Sequence, residues 1–120
     1  MTIENDKTID AIGVERSSGM VILTITDHLD WSNVSYHTEC LKQKFEFYVN
    51  AVLTGLLLQH YPNAIGRDVC IDLLCKFSPN TKGLANISKL AQDIVRSSIR
   101  FRAQVHGEEK FLFDLSNKAS

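Results

Sequence analysis

The feature that most constrains the fold is a change in the spacing of apolar residues along the chain. Over residues 35–61, apolar residues recur every three or four positions, which predicts one long amphipathic helix ended by Pro62. The members of this stripe are Leu41, Phe45, Tyr48, Val49, Val52, Leu53 and Leu56. On both sides of it the period falls to two, which is typical of β-strands.

Five segments carry strand signals, and one further segment carries a helical signal. The predicted strands cover residues 8–15, 20–26, 68–77, 99–105 and 111–115. A second, shorter helix is predicted over residues 86–98. The predicted element order is therefore β-β-α-β-α-β-β, an arrangement that favours an α+β fold.

The predicted architecture is a two-layer sandwich in which a mostly antiparallel sheet of about five strands carries both helices on one face. The other face should be partly exposed to solvent, because Arg100 and Arg102 alternate with the apolar residues of their strand. The length of 120 residues predicts a single domain over 1–120. Residues 1–7 and 116–120 are expected to be loose tails.

Net charge excludes a globally basic class of protein. The chain has 13 Lys and Arg against 14 Asp and Glu, so neither nucleic acid nor an anionic membrane is an expected partner. The distribution is uneven, however. Residues 1–60 carry four basic against eight acidic side chains, whereas residues 61–120 carry nine against six.

Targeting signals and cysteine usage predict a cytoplasmic protein. The acidic, polar start lacks the pattern of a signal peptide, and the apolar stretch at 51–58 is far shorter than the ~20 residues of a membrane span. Cys40, Cys70 and Cys75 are odd in number and lack CxxC spacing, which predicts reduced thiols. Cys70 and Cys75, five residues apart on one strand, should face opposite sides of the sheet.

The densest polar cluster is the segment DHLDW at residues 27–31, followed by His37 and Cys40. One interpretation is a small metal-dependent or hydrolytic enzyme that uses Asp27, His28, Asp30 and His37, with Cys40 as nucleophile. The spacing matches no metal-ligand signature, and GxGxxG, GxxxxGK[ST], GxSxG and HExxH are absent. The sequence therefore favours a protein that is not an enzyme and has no cofactor or metal.

Several of these residues also carry a family resemblance. The segments IDAIG at 9–13 and VILTITDHLDW at 21–31 precede a helix that carries His37, Leu41, Lys44, Tyr48 and Gly55. Over about residues 8–80, the chain resembles a small bacterial domain family of unknown function with an IDxIG and LTIxDHLDW signature. The resemblance implies a free-standing bacterial α+β domain, and it carries over no catalytic residue.

The function that these features favour is binding. The sharpest hypothesis is an immunity protein of the contact-dependent growth inhibition type, which masks a cognate bacterial toxin. The acidic first half would suit a basic toxin such as a nuclease. Its predicted toxin-binding residues are Asp27, Asp30, Trp31, Glu39 and Glu46. The enzyme described above is the alternative, and a homodimer through Leu56, Leu57 and Leu58 is a third.

Overall fold

The structure, a computed structural model, describes residues 3–116. Its strands are β1 (Ala11–Val14), β2 (Val21–Asp27), β3 (Val69–Cys75), β4 (Arg100–Val105) and β5 (Phe111–Leu115). Its helices are α1 (Val34–Leu53), α2 (Leu56–His60) and α3 (Thr81–Arg96), with a short 3-10 helix at Pro62–Ala64. The α+β class and the alternation of strands with the two long helices are confirmed. None of the described helices has both the length and the apolar character that a membrane crossing requires.

The sheet is mixed, so the prediction of a mostly antiparallel sheet is only partly correct. Its five strands lie in the order β1-β2-β3-β4-β5. The outer pairs β1–β2 and β4–β5 are antiparallel, whereas β2–β3 and β3–β4 are parallel. The two parallel pairs arise because α1 and α3 each return the chain across the sheet before the next strand begins.

Both long helices cover the same face of the sheet, as predicted. Leu41 of α1 and Ile87 of α3 are fully buried together with Leu23, Ile71 and Phe101 from the three central strands. The opposite face carries an ion-pair network instead of a second helical layer. Its members are Arg102 with Asp72 and Glu15, at 2.8 and 3.1 Å, and Arg100 with Asp114, at 2.8 Å.

The single long helix predicted over residues 35–61 is wrong, because the chain breaks between α1 and α2. Thr54 ends α1, and its hydroxyl donates to the carbonyl of Asn50 at 2.6 Å. Gly55 follows with φ +80°, a left-handed conformation that favours glycine. The apolar period continues through the break into Leu56 and Leu57, so it gives no sign of the interruption.

The helices start at asparagine caps. The Asn33 side chain accepts a hydrogen bond from the backbone N–H of Tyr36, and Asn80 accepts one from Gly83. Because Asn80 caps α3, this helix begins five residues before the predicted start at residue 86.

The start of the chain is held against α1. Ile3 is fully buried, and the backbone carbonyls of Asn5 and Thr8 accept hydrogen bonds from the Lys44 ammonium at 2.6 and 2.8 Å. Residues 3–7 therefore do not form the loose tail predicted for residues 1–7. The predicted tail at 117–120 lies outside the described residues.

Candidate functional site

Two residues of the predicted polar cluster form a buried pair. Asp27, the last residue of β2, faces the helical layer, and His37 lies one turn into α1. The Asp27 Oδ2 atom is 2.5 Å from His37 Nε2, and His37 Nδ1 is 2.9 Å from the carbonyl oxygen of Asp30. The side chains of Asp27 and His37 are at most 1% exposed.

The hydrogen-bond partners fix where the protons of this pair lie. A carbonyl oxygen only accepts, so His37 Nδ1 must donate to Asp30. One further proton lies between Nε2 and the Asp27 carboxyl group, whose other oxygen accepts from the backbone N–H of Leu29 at 3.1 Å. Both ring nitrogens are therefore occupied by interactions within the protein.

Trp31 closes this pair off from solvent. Its ring stacks on the His37 ring with a centroid distance of 3.6 Å, and its indole N–H donates to the carbonyl of Phe77 at 3.4 Å. Gly83 of α3 makes room for the ring, because a Cβ atom there would lie 2.7 Å from Trp31 Cε3. Trp31 is 7% exposed and belongs to the core.

The remaining members of the predicted cluster lie elsewhere. His28 is exposed and its Nε2 lies 3.6 Å from Glu4 Oε1, on the outside of the loop. Cys40 is half-buried beside Tyr36, and burial raises the pKa of its thiol, which disfavours the thiolate form that a nucleophile requires. Within residues 3–116, His, Cys, Asp and Glu side chains form no group of three that could hold a metal ion.

The other two thiols lie within the sheet. Cys75 faces the helical layer, whereas Cys70 lies on the opposite face, where its thiol donates to Asp72 at 3.2 Å. Burial raises the pKa of Cys75 to about 12, and it also raises that of Cys70. The predicted placement of these cysteines on opposite faces is confirmed.

A second buried pair, which the sequence analysis did not single out, lies beneath the first half of α1. Lys44 Nζ donates to Asp10 Oδ1 at 2.9 Å, and both side chains are at most 1% exposed. The other Asp10 oxygen accepts from the backbone N–H of Thr26 at 3.0 Å. Tyr48 accepts from the Asp10 backbone and donates to the carbonyl of Thr24, so this network joins the residue before β1 to β2 and α1.

An exposed acidic surface lies above the buried Asp27–His37 pair, at the start of α1. We define it as Glu4, Asp30, Tyr36 and Glu39, all of which are exposed. The Tyr36 hydroxyl donates to Glu4 at 2.6 Å, and Glu39 lies one turn further along α1. Among residues 3–116, none of its three carboxylates forms an ion pair with Lys or Arg.

Comparison with known proteins identifies the family. A model described as "Family of unknown function (DUF6572)" matches residues 1–107. The chain belongs to this family. None of the curated proteins and none of the solved structures matches the chain significantly.

For this DUF6572 member, the structure separates the predicted toxin-binding residues into two groups. Asp30, Glu39 and Glu46 are exposed, whereas Asp27 and Trp31 are buried. At the predicted dimer edge, Leu56 and Leu58 are exposed, and Leu57 belongs to the core.

Proposed function

We propose that this DUF6572 domain is a non-catalytic binding protein that acts in the cytoplasm as an immunity protein against a cognate bacterial toxin. The observation that supports it best is the acidic surface, whose three carboxylates form no ion pair with Lys or Arg within the described part of the chain. Elsewhere on the surface, Asp93 and Asp114 pair with arginines. Carboxylates without such partners remain available to the positive charges of another molecule.

The fold supplies a rigid base for this surface. Asp27, His37 and Trp31 hold the loop that carries Asp30 against the first turns of α1. A partner that binds a preformed surface does not have to order it, which saves part of the entropic cost of association. The buried members of the predicted cluster thus position the exposed ones.

The chemistry of the surface favours a basic partner. Enzymes that bind nucleic acid present Lys and Arg side chains to its phosphates. An acidic inhibitor can bind the same Lys and Arg side chains. Tyr36, 48% exposed, supplies an aromatic side chain of the kind that is enriched at binding hot spots. Further along α1, Gln43 and Glu46 extend the exposed face. A nuclease toxin is therefore the partner that we favour.

The test is growth protection together with copurification. The reading frame that abuts this one would be expressed in a host cell with and without this protein, and the two products would be purified together. We expect the neighbouring product to arrest growth alone, and this protein to restore growth and to copurify with it. A neighbour that has no effect on growth, or that is inhibited without forming a complex, would contradict the proposal.

Charge-reversal variants test the surface itself. Glu39→Lys and Asp30→Lys should abolish protection, because they place cations where we expect a cationic partner. Asp93→Lys is the control, since Asp93 is an exposed carboxylate outside the acidic surface, in the last turns of α3. Equal loss of protection in all three variants would contradict a role for this surface.

A further inference from the structure

An apolar cavity lies where the edge strand β1 meets the second half of α1 and the short helix α2. Its volume is about 400 Å³, and most of its lining is aliphatic or aromatic. We call it the β1–α2 cavity. Its apolar lining residues are Ile9, Ile12, Phe47, Ala51, Leu56 and Leu57.

Part of this apolar lining is left uncovered by the chain itself. Ile12 pairs in register with the core residue Leu23, so it faces the helical layer, yet it is 36% exposed at the edge of the sheet. Leu56 follows the left-handed turn at Gly55 and is 38% exposed. Leu57 is 5% exposed and belongs to the core. The cavity therefore offers an apolar ligand a wall that is anchored in the core and open to solvent.

The polar lining residues restrict the charge of such a ligand. They are Lys7, His60 and Tyr61. Among the residues that the structure describes, no Asp or Glu lines the cavity, so Lys7 carries its one formal charge when His60 is neutral. Lys7 is exposed, and its ammonium group is recorded in no ion pair of residues 3–116. A ligand whose polar end is negative is therefore favoured over one whose polar end is positive.

We propose that the β1–α2 cavity binds a medium-chain alkyl carboxylate, with its alkyl chain against the apolar wall and its carboxylate beside Lys7. The volume lies near the lower end of the range of small-molecule sites, which favours a small ligand over a large cofactor. Most of the affinity comes from burial of the alkyl chain, and Lys7 selects the charge of the exposed end. No residue of the acidic surface lines this cavity, so the inference does not depend on the proposed immunity function.

Calorimetric titration of the full chain with hexanoate, octanoate and decanoate tests the inference. The affinity should rise about fourfold for each added methylene group, and binding should have a negative heat capacity change. Decanol, which has the same chain without the charge, should bind more weakly than decanoate. Lys7→Gln should weaken the binding of decanoate about two- to fivefold and leave that of decanol unchanged.

Two leucines of α2 provide a matched pair of variants. Leu56 lines the cavity and is 38% exposed, whereas Leu58 is 42% exposed and does not line it. Leu56→Asn should weaken the binding of decanoate roughly tenfold, because it replaces part of the apolar wall with an amide. Leu58→Asn should bind decanoate like the unaltered protein. Melting temperatures of both variants serve to confirm that the fold is retained.

Four results would overturn the inference. Equal affinity for decanoate in the two folded leucine variants would show that the ligand lies elsewhere. Equal affinity for hexanoate and decanoate would exclude burial of the chain, and equal affinity for decanoate and decanol would exclude selection of a carboxylate. Analytical ultracentrifugation supplies the fourth result. A dimer that Leu56→Asn dissociates would mean that a second copy of the chain occupies the cavity.

Discussion

Substitution of Lys44 by methionine should destabilise the protein strongly. Methionine retains most of the length and apolar volume of lysine but removes the ammonium group, which donates hydrogen bonds to Asn5, Thr8 and Asp10. The Asp10 carboxylate would stay buried with only its hydrogen bonds from Thr26. It would then lack a compensating charge.

The size of the effect follows from burial on both sides of the pair. Lys44 and Asp10 are 0% and 1% exposed, so solvent cannot replace the lost partner. Removal of one member of such a pair costs about 3–5 kcal/mol of the free energy of unfolding. For a domain of this size, that loss corresponds to a decrease in melting temperature of about 10–20 °C.

The assay is urea denaturation with thermal melting of matched variants. Lys42→Met, on the exposed side of the same helix, should change the free energy of unfolding by less than about 0.5 kcal/mol. The double variant with Asp10→Asn and Lys44→Met should lose less of the free energy of unfolding than the two single variants lose in sum. The difference should be about 1–3 kcal/mol. A Lys44→Met protein as stable as Lys42→Met would refute the reasoning.

Three further predictions concern other parts of the fold. Gly83→Ala should lower the free energy of unfolding by about 1–3 kcal/mol, as measured by urea denaturation, because its Cβ would meet the Trp31 ring at 2.7 Å; a stabilised variant would show that the ring moves aside freely. Asp114→Asn should reduce the loss of stability on acidification. Two hydrogen bonds from Arg100 hold the pKa of Asp114 in the folded protein below its ordinary 3.8. The carboxylate therefore stabilises the fold fully above about pH 3.8, and this contribution is lost as pH falls through the lowered pKa. Melting curves between pH 6 and about pH 2 that match those of the unaltered protein would contradict this. Cys75 should react with a thiol reagent at neutral pH only upon unfolding, because burial raises its pKa to about 12; rapid labelling of the native protein at this residue, located by mass spectrometry, would be inconsistent with the fold.

Much of the fold is predictable from the spacing of apolar residues, because helices cover one face of the sheet and the other face is turned towards solvent. The alternation of Phe101 and Ala103 with Arg100 and Arg102 places β4 correctly, and β5 has the predicted bounds. Strand direction is not predictable from alternation, since parallel and antiparallel strands have the same period. The break at Gly55 is also hidden, because a left-handed residue leaves the apolar spacing around it intact.

The site was only partly predictable for a similar reason. Asp27, His37 and Trp31 stand out as a polar and aromatic cluster, but sequence distance does not show that Trp31 covers the other two. A signal for burial did exist. His37 and Lys44 stand at helical spacing with Leu41 and Tyr48, on the face that is buried. Polar residues at such positions indicate buried pairs whose partners come from elsewhere in the chain.

The role of the acidic surface is tested most directly by the association rate constant between this protein and the toxin of the neighbouring reading frame. The measurement would compare the unaltered protein with Glu39→Lys and with the control Asp93→Lys, at low and at high salt. Electrostatic steering predicts at least a roughly tenfold slower association for Glu39→Lys at low salt, a smaller difference at high salt, and little change for Asp93→Lys. Association rates that fall equally for both variants, or that do not depend on salt, would contradict a binding role for this surface.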